Sequence, residues 1–139
     1  MRTVRAVVAA GLVAAAAVAA GCGPPKSYAE PADVPKIPTL KKLMDTQATY
    51  ADAQFKKIGA ASYSDADFAA FADLGTRIEA TSTHIKDFSM GPDFDKLADT
   101  LHAKAAELSS AAAAKDGAAA RAALSGMKAT CKECHSTWR

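Results

Sequence analysis

The chain has 139 residues, a length that fits one domain rather than two. Half of the residues are hydrophobic, many of them alanine, and the shortage of β-branched residues favours helix over strand. Without Arg2 and Arg5, residues 22–139 carry 15 basic and 15 acidic side chains, and this neutral balance gives no support for nucleic-acid binding.

The first 21 residues have the layout of an export signal. Arg2 and Arg5 form a short basic region, and residues 6–20 form an uninterrupted stretch of small apolar residues. This stretch is shorter than the ~20 residues that a membrane-spanning helix needs. We therefore predict that residues 1–21 are a signal peptide and that the rest of the chain is exported.

The apolar stretch ends in Ala19-Ala20-Gly21-Cys22, which resembles a bacterial lipoprotein signal in which the cysteine becomes the lipidated first residue. Lipidation of Cys22 also removes a free thiol from an oxidising compartment. The alternative is an ordinary signal peptide cut near Ala20. Several acyl chains, at ~0.8 kcal/mol per buried CH₂, would hold the protein firmly on a membrane. Gly23 rather than Asp follows the cysteine, which favours the outer membrane.

The region after Cys22 divides into a tether and a domain. Residues 22–36 are polar and contain four prolines, which predicts a semi-extended tether. Residues 37–139 have the amphipathic pattern of a folded domain. Within the domain, Ser64 and Asp67 resemble a helix capping box, and Asp116 is a candidate helix N-cap.

Four stretches of the domain have apolar residues three and four positions apart, as expected for amphipathic helices. No segment shows the alternation of a strand, and the connections are short. The sequence therefore predicts an all-α, up-down-up-down antiparallel four-helix bundle. The predicted helices run from about Pro38 to Ile58, from about Asp65 to Phe88, from a point after Gly91-Pro92, and from about Asp116 to the C-terminus.

The last helix contains the haem-attachment sequence C-x-x-C-H as Cys131-Lys132-Glu133-Cys134-His135. On a helix the two cysteines and the histidine share one face, being three and four positions apart. Both thiols can then form thioethers to the porphyrin vinyl groups while the imidazole reaches the iron from one side. We predict one covalent haem c, attached through Cys131 and Cys134 and ligated by His135.

Two other chemistries use the same residue types. A redox-active C-x-x-C normally opens a helix in a βαβ unit, whereas this one lies near the end of the last helix. A zinc site would need a fourth ligand, for which only His84 or His102 could be proposed. Both patterns fit the sequence less well than haem attachment.

The C-terminal sequence resembles that of the class II c-type cytochromes, the cytochrome c-prime family. Residues 131–139 are similar to that family's C-K-x-C-H-x-x-Y-R ending, with Trp138 at the position of the usual tyrosine and Arg139 at the basic position near the haem. The resemblance covers about residues 37–139. It implies a four-helix bundle with haem near the end of the last helix, Trp138 and Arg139 in the haem environment, and a tendency to form homodimers.

The sixth position of the iron has more than one candidate. Met44 lies on the apolar line of the first helix, about 9 Å from its start, while His135 lies about 6 Å from the end of its antiparallel neighbour. In low-spin members of the resembled family a methionine on the first helix is the sixth ligand, so we predict Met44. The alternatives are an open position with Met44 as core packing, Met90, or His84. An isolated histidine at the position of His84 is usually solvated.

These features together predict a one-electron carrier that transforms no substrate. Its expected place is the periplasmic side of a bacterial membrane, anchored by lipid, with other periplasmic redox proteins as partners. A five-coordinate cytochrome c-prime that binds nitric oxide or carbon monoxide is the alternative. The last part of the chain contains several basic residues: Lys115, Arg121, Lys128, Lys132 and Arg139. They suggest a basic rim near the haem that steers acidic partners, although an ordinary solvated face would have the same composition.

Overall fold

The computed structural model of this protein describes residues 29–138, and all regular structure in this range is helical. The predicted signal peptide and the predicted lipidation site at Cys22 lie outside the described residues. No helix within residues 29–138 is long and apolar enough to cross a membrane. Four long helices form the domain: α1 (Leu40–Phe55), α2 (Asp65–Ile85), α3 (Pro92–Ala113) and α4 (Gly117–Thr137).

Helices α2 and α4 begin at the caps that the sequence predicts. Ser64 accepts a hydrogen bond from the Asp67 amide, and the Asp67 carboxylate accepts one from the Ser64 amide, so the predicted capping box is present. Asp116 accepts hydrogen bonds from the amides of Ala118 and Ala119 at the start of α4. The short connections thus coincide with local hydrogen bonds that stop one helix and start the next.

Asp67, held by Lys57 and by the capping box, is expected to make the stability of the fold depend on pH. A hydrogen bond from Lys57, followed by hydrogen bonds from Ser64, lowers the pKa of Asp67 from 3.8 to about 2. A carboxyl group with a depressed pKa in the folded state stabilises the fold above its unfolded pKa, and that contribution disappears as pH falls from about 4 through about 2. We expect the Asp67→Asn variant to unfold more easily than the parent at pH 6. The difference in free energy of unfolding, measured with urea, should shrink toward pH 2; a constant difference would contradict this assignment.

Helices α2 and α3 have the most extensive contact of the helix pairs in residues 29–138. Gly75 of α2 is buried, and a Cβ added there would lie 2.9 Å from the Ala105 carbonyl oxygen and 2.2 Å from the Ser109 hydroxyl of α3. The absence of a side chain therefore allows the two backbones to approach each other. Phe71, Leu74 and Leu108, all nearly inaccessible to solvent, belong to the core that this pair helps to enclose.

We expect Gly75→Ala to destabilise the bundle by about 1–3 kcal/mol, because α3 backbone atoms cannot move aside cheaply. Urea unfolding followed by circular dichroism measures this change. Gly59→Ala is the matched control, since a Cβ at Gly59 meets nothing within 4 Å. That variant should be unchanged, or more stable by up to about 1 kcal/mol through the unfolded state. Equal effects of the two substitutions would contradict the close approach.

The segment before α1 differs from the predicted tether. Pro31–Lys36 form a 3₁₀ helix in which Val34 is only 1% exposed. The Ala29 carbonyl accepts hydrogen bonds from the Tyr50 hydroxyl and from Arg77. Four prolines suggested an extended chain, but Val34 provides an apolar anchor, so residues 29–36 pack on the bundle and do not form part of a free tether.

Candidate cofactor site

A cavity of about 210 Å³ lies mainly between α1 and α4. These two helices contact each other much less than α2 contacts α3, so the bundle is open at this seam. The wall is largely apolar, with contributions from all four helices: Leu40, Phe55, Ile78, Ile85, Phe94, Leu97, Leu101 and Met127. Such a wall suits a bulky, mostly apolar group.

Helix α4 contributes all three residues of the C-x-x-C-H sequence to this cavity. Cys131 and Cys134 are partly buried free cysteines, and His135, one turn beyond Cys131, lines the same space. His135 is exposed, and within residues 29–138 its ring has no hydrogen-bond partner. Its nitrogens are therefore available to a ligand, and the three groups share one face as the spacing predicts.

The two thiols have the protonation behaviour of buried, unactivated cysteines. Burial raises the pKa of Cys131 to about 11, and the nearby Cys134 and Asp52 add to that rise. Burial, followed by Glu133, also raises the pKa of Cys134. A redox-active C-x-x-C has a lowered pKa on its attacking cysteine. The electrostatics therefore favour thiols that are consumed by covalent attachment over a disulfide-exchange centre.

Met44 of α1 is partly buried and lines the same cavity as His135. The structure therefore brings the predicted sixth ligand and the predicted axial histidine together, from two different helices. Met90, one of the alternatives, is 48% exposed and is not part of the cavity wall. Of the two methionines considered, only Met44 is placed to face a group bound between α1 and α4.

His84 does not behave as the sequence suggested. It is buried, with 8% exposure, and not solvated. Its Nδ1 lies 2.7 Å from the Asp87 carboxylate and its Nε2 lies 3.0 Å from the Ile37 carbonyl oxygen. Both ring nitrogens are thus engaged away from the cavity, because a carbonyl just before α1 and a carboxylate after α2 enclose the ring. Within residues 29–138 no three His, Cys, Asp or Glu side chains cluster as a metal site.

The structure describes one of the two residues predicted to lie in the haem environment, Trp138. Trp138 lines the cavity and packs edge-on against Phe94, with ring centroids 5.6 Å apart. Its amide donates to the Cys134 carbonyl, which continues the hydrogen-bonding of α4 to the tryptophan. Arg139, the other predicted residue of the haem environment, lies outside the described residues.

Three polar wall residues were not predicted as site residues: Gln47, Asp52 and Thr130. Gln47 is a polar residue in the otherwise apolar line of α1, and no role was predicted for it. Asp52 lies eight positions after Met44, and therefore on the same side of α1. A polar residue at helical spacing from a candidate ligand is the pattern that could have identified both of them.

The basic residues near the C-terminus do not form one rim. Lys115 pairs with Asp65 at the start of α2, and Arg121 donates to the carbonyls of Ile58 and Ala60 after α1. Both belong to the end of the bundle where α1 stops and α4 begins. Lys128 and Lys132, which are exposed, are the remaining described members of the predicted rim.

The donor set fits a covalently attached haem. Two neutral thiols can each add to a vinyl group, an uncommitted imidazole can ligate iron, and the apolar wall can cover a porphyrin face. A thioether from Met44 is available on the opposite helix. Cys131 and Cys134 would hold the macrocycle, and His135 would hold the metal.

A helical bundle with a C-x-x-C-H sequence in its last helix defines the class of protein as a c-type cytochrome. A family model described as Cytochrome C′ matches residues 35–139. The chain therefore belongs to the cytochrome C′ family, which implies binding of haem c. Comparisons with curated proteins and with solved structures gave no match.

Proposed function

We propose that this protein is a monohaem one-electron carrier whose haem c is attached through Cys131 and Cys134 and held between His135 and Met44. The observation that carries the proposal is the presence of all four side chains on one cavity wall. The proposed arrangement is an up-down-up-down bundle with haem near the end of α4. Short connections between neighbouring helices support this topology.

When bound, haem supplies the Fe(III)/Fe(II) couple, and no substrate is transformed. Cys131 and Cys134 would hold the haem by adding their S–H groups across its two vinyl groups, an addition that has no leaving group. The His135 imidazole would hold the metal from α4. The Met44 thioether, a soft donor on α1, would favour the reduced state and so raise the reduction potential. Leu101, Phe94 and the other apolar wall residues exclude water.

An optical spectrum of the purified protein in both oxidation states tests the proposal. A low-spin spectrum with the weak far-red band of sulfur–iron ligation in the oxidised state is expected. A high-spin spectrum with rapid binding of carbon monoxide would overturn methionine ligation. A protein that contains no covalent haem would overturn the haem-binding proposal itself.

Gas binding is the second candidate function, and the family supports it. The matching family is described as Cytochrome C′. The alternative predicted from the sequence is a five-coordinate cytochrome c-prime. Met44 packs against the hydrophobic core, so core packing would also account for its position. In this second proposal the sixth position is open to nitric oxide or carbon monoxide.

The proposed setting is the periplasmic side of a bacterial membrane, with lipid on Cys22 and a weak preference for the outer membrane. Periplasmic redox proteins are the proposed partners, and exposed Lys128 and Lys132 offer positive charge to acidic ones. A homodimer, implied by the resemblance, stays a prediction. The cytochrome C′ family is typically periplasmic, which supports export.

We expect Cys22→Ser to release the protein from membranes or to block its processing, because no other cysteine precedes the domain. Fractionation into membrane and soluble parts, detected by haem staining, measures the effect. Gly23→Ala serves as the control and should stay on the membrane. A parent protein whose mature N-terminus is found by mass spectrometry to be unlipidated would count decisively against the anchor.

A further inference from the structure

One polar residue of the cavity wall, Gln47, belongs to a buried polar pair that the proposed function leaves unexplained. Gln47 of α1 is only 7% exposed, and its Nε2 donates a hydrogen bond of 2.9 Å to the Thr81 hydroxyl of α2. Thr81 is fully buried. Gln47 lies one turn after Met44 and lines the same cavity. It is thus a polar group on the α1 side of the cavity to which α4 contributes His135.

The hydrogen bonds of Thr81 determine which end of the Gln47 amide faces it. The Thr81 hydroxyl donates to the Arg77 carbonyl at 2.9 Å, four positions earlier in α2. A hydroxyl group has one hydrogen, so toward Gln47 it can only accept. The amide nitrogen must therefore face Thr81, and the carbonyl oxygen Oε1 must point the other way. Within residues 29–138 no donor forms a hydrogen bond with this oxygen. The oxygen is also absent from the fully buried side-chain atoms that lack a hydrogen-bond partner, so part of its surface is accessible.

We propose that Gln47 determines the polarity on the side of the iron opposite His135, and that Thr81 is its positioning residue. This inference rests on the proposed function for the assignment of His135 as axial ligand. The Oε1 atom presents partial negative charge to the iron side of the cavity and offers no hydrogen to a bound gas. It therefore stabilises Fe(III) relative to Fe(II), and it weakens ligands that carry negative charge on their outer atom.

The stretching frequency of carbon monoxide on the reduced iron tests the proposal directly. The Met44→Ala background opens the iron, and Gln47→Leu is added to it. Negative charge near the outer atom of carbon monoxide opposes electron donation from the iron and raises the frequency. We expect Gln47→Leu to lower the frequency and, in the Met44-containing protein, to raise the reduction potential. A rise in frequency would show that the amide donates a hydrogen bond instead, and an unchanged frequency would place Gln47 away from the ligand; both overturn the proposal.

A second variant separates positioning from bulk packing. Thr81→Val keeps the shape of the residue but removes the acceptor that orients the amide. We expect the single carbon monoxide band to broaden or split, because either end of the amide can then face the cavity. Thr76→Val is the matched control, since the Thr76 hydroxyl makes the same bond to the Ala72 carbonyl on the exposed face of α2. The control should leave the band unchanged, and a band equally sharp in Thr81→Val would overturn the positioning role.

These measurements also distinguish a failure of the Gln47 proposal from a failure of the proposed function. If the parent protein is high-spin, the carbon monoxide experiment is done without the Met44 substitution. The proposal that Met44 ligates the iron is then overturned, whereas the expected effect of Gln47→Leu on the frequency is the same. If the parent binds no haem, no carbon monoxide band forms, and both proposals are overturned together.

Discussion

Replacing Cys131 and Cys134 together by alanine is expected to abolish covalent haem, the largest effect of any substitution proposed for this protein. Both thiols lie in the cavity wall, and burial keeps them protonated at neutral pH. They therefore have no evident role as exchanging thiolates. With both removed, acid-acetone should extract any remaining haem, and haem staining of a denaturing gel should show no band at the mass of the protein.

The single variants Cys131→Ala and Cys134→Ala should each lower the yield of haem-containing protein sharply, since only one of the two thioethers can form in each. Ser136→Ala is the control on the same helix, because Ser136 is exposed and lies outside the cavity wall. A double-alanine variant that kept a haem-stained band would contradict attachment through these residues. Complete extraction of haem from the parent would contradict it more simply.

Replacing Met44 by alanine is expected to convert the haem iron from low-spin to five-coordinate. Met44 is the methionine of α1, and it faces the cavity to which α4 contributes His135. Loss of the thioether removes a donor that favours Fe(II). The reduction potential should then fall by on the order of 0.1 V, well within the ~0.8 V over which axial ligands set haem potentials. The far-red sulfur–iron band should disappear, and the reduced protein should bind carbon monoxide rapidly.

Two further variants make this prediction specific. Met44→Leu keeps most of the packing volume, so it should open the iron with less loss of stability than Met44→Ala. Met90→Leu should leave the spectrum unchanged, because Met90 is exposed and outside the cavity wall. Survival of the sulfur band in both Met44 variants would transfer the role to another methionine. A parent that is already high-spin would leave Met44 as core packing and favour gas binding.

Much of the fold follows from local patterns in the sequence. The Ser64–Asp67 box and the Asp116 cap are short-range hydrogen-bonding patterns, so they could be predicted within one turn of their true positions. The helical class followed from apolar spacing, and the C-x-x-C-H residues share one face because helical geometry requires it. These predictions needed no knowledge of how distant segments meet.

The parts that could not be predicted depend on contacts between distant residues. His84 looked like a solvated histidine, yet the Ile37 carbonyl, 47 residues earlier, covers its ring. Residues 31–36 looked like a tether because of their prolines, yet Val34 finds a site on the bundle. Gln47 has no evident role in the sequence, because its hydrogen-bond partner Thr81 lies 34 residues away.

The mass of the intact, exported protein under denaturing conditions tests the central claim most directly. Denaturation removes any haem that is held only by ligation or packing, so the remaining mass reports covalent attachment through Cys131 and Cys134. The expected mass is that of the processed, lipidated chain plus one haem, and the double-alanine variant should have the mass of its own processed, lipidated chain without haem. A processed chain without the haem mass, isolated from cells that attach haem to other c-type cytochromes, would contradict it.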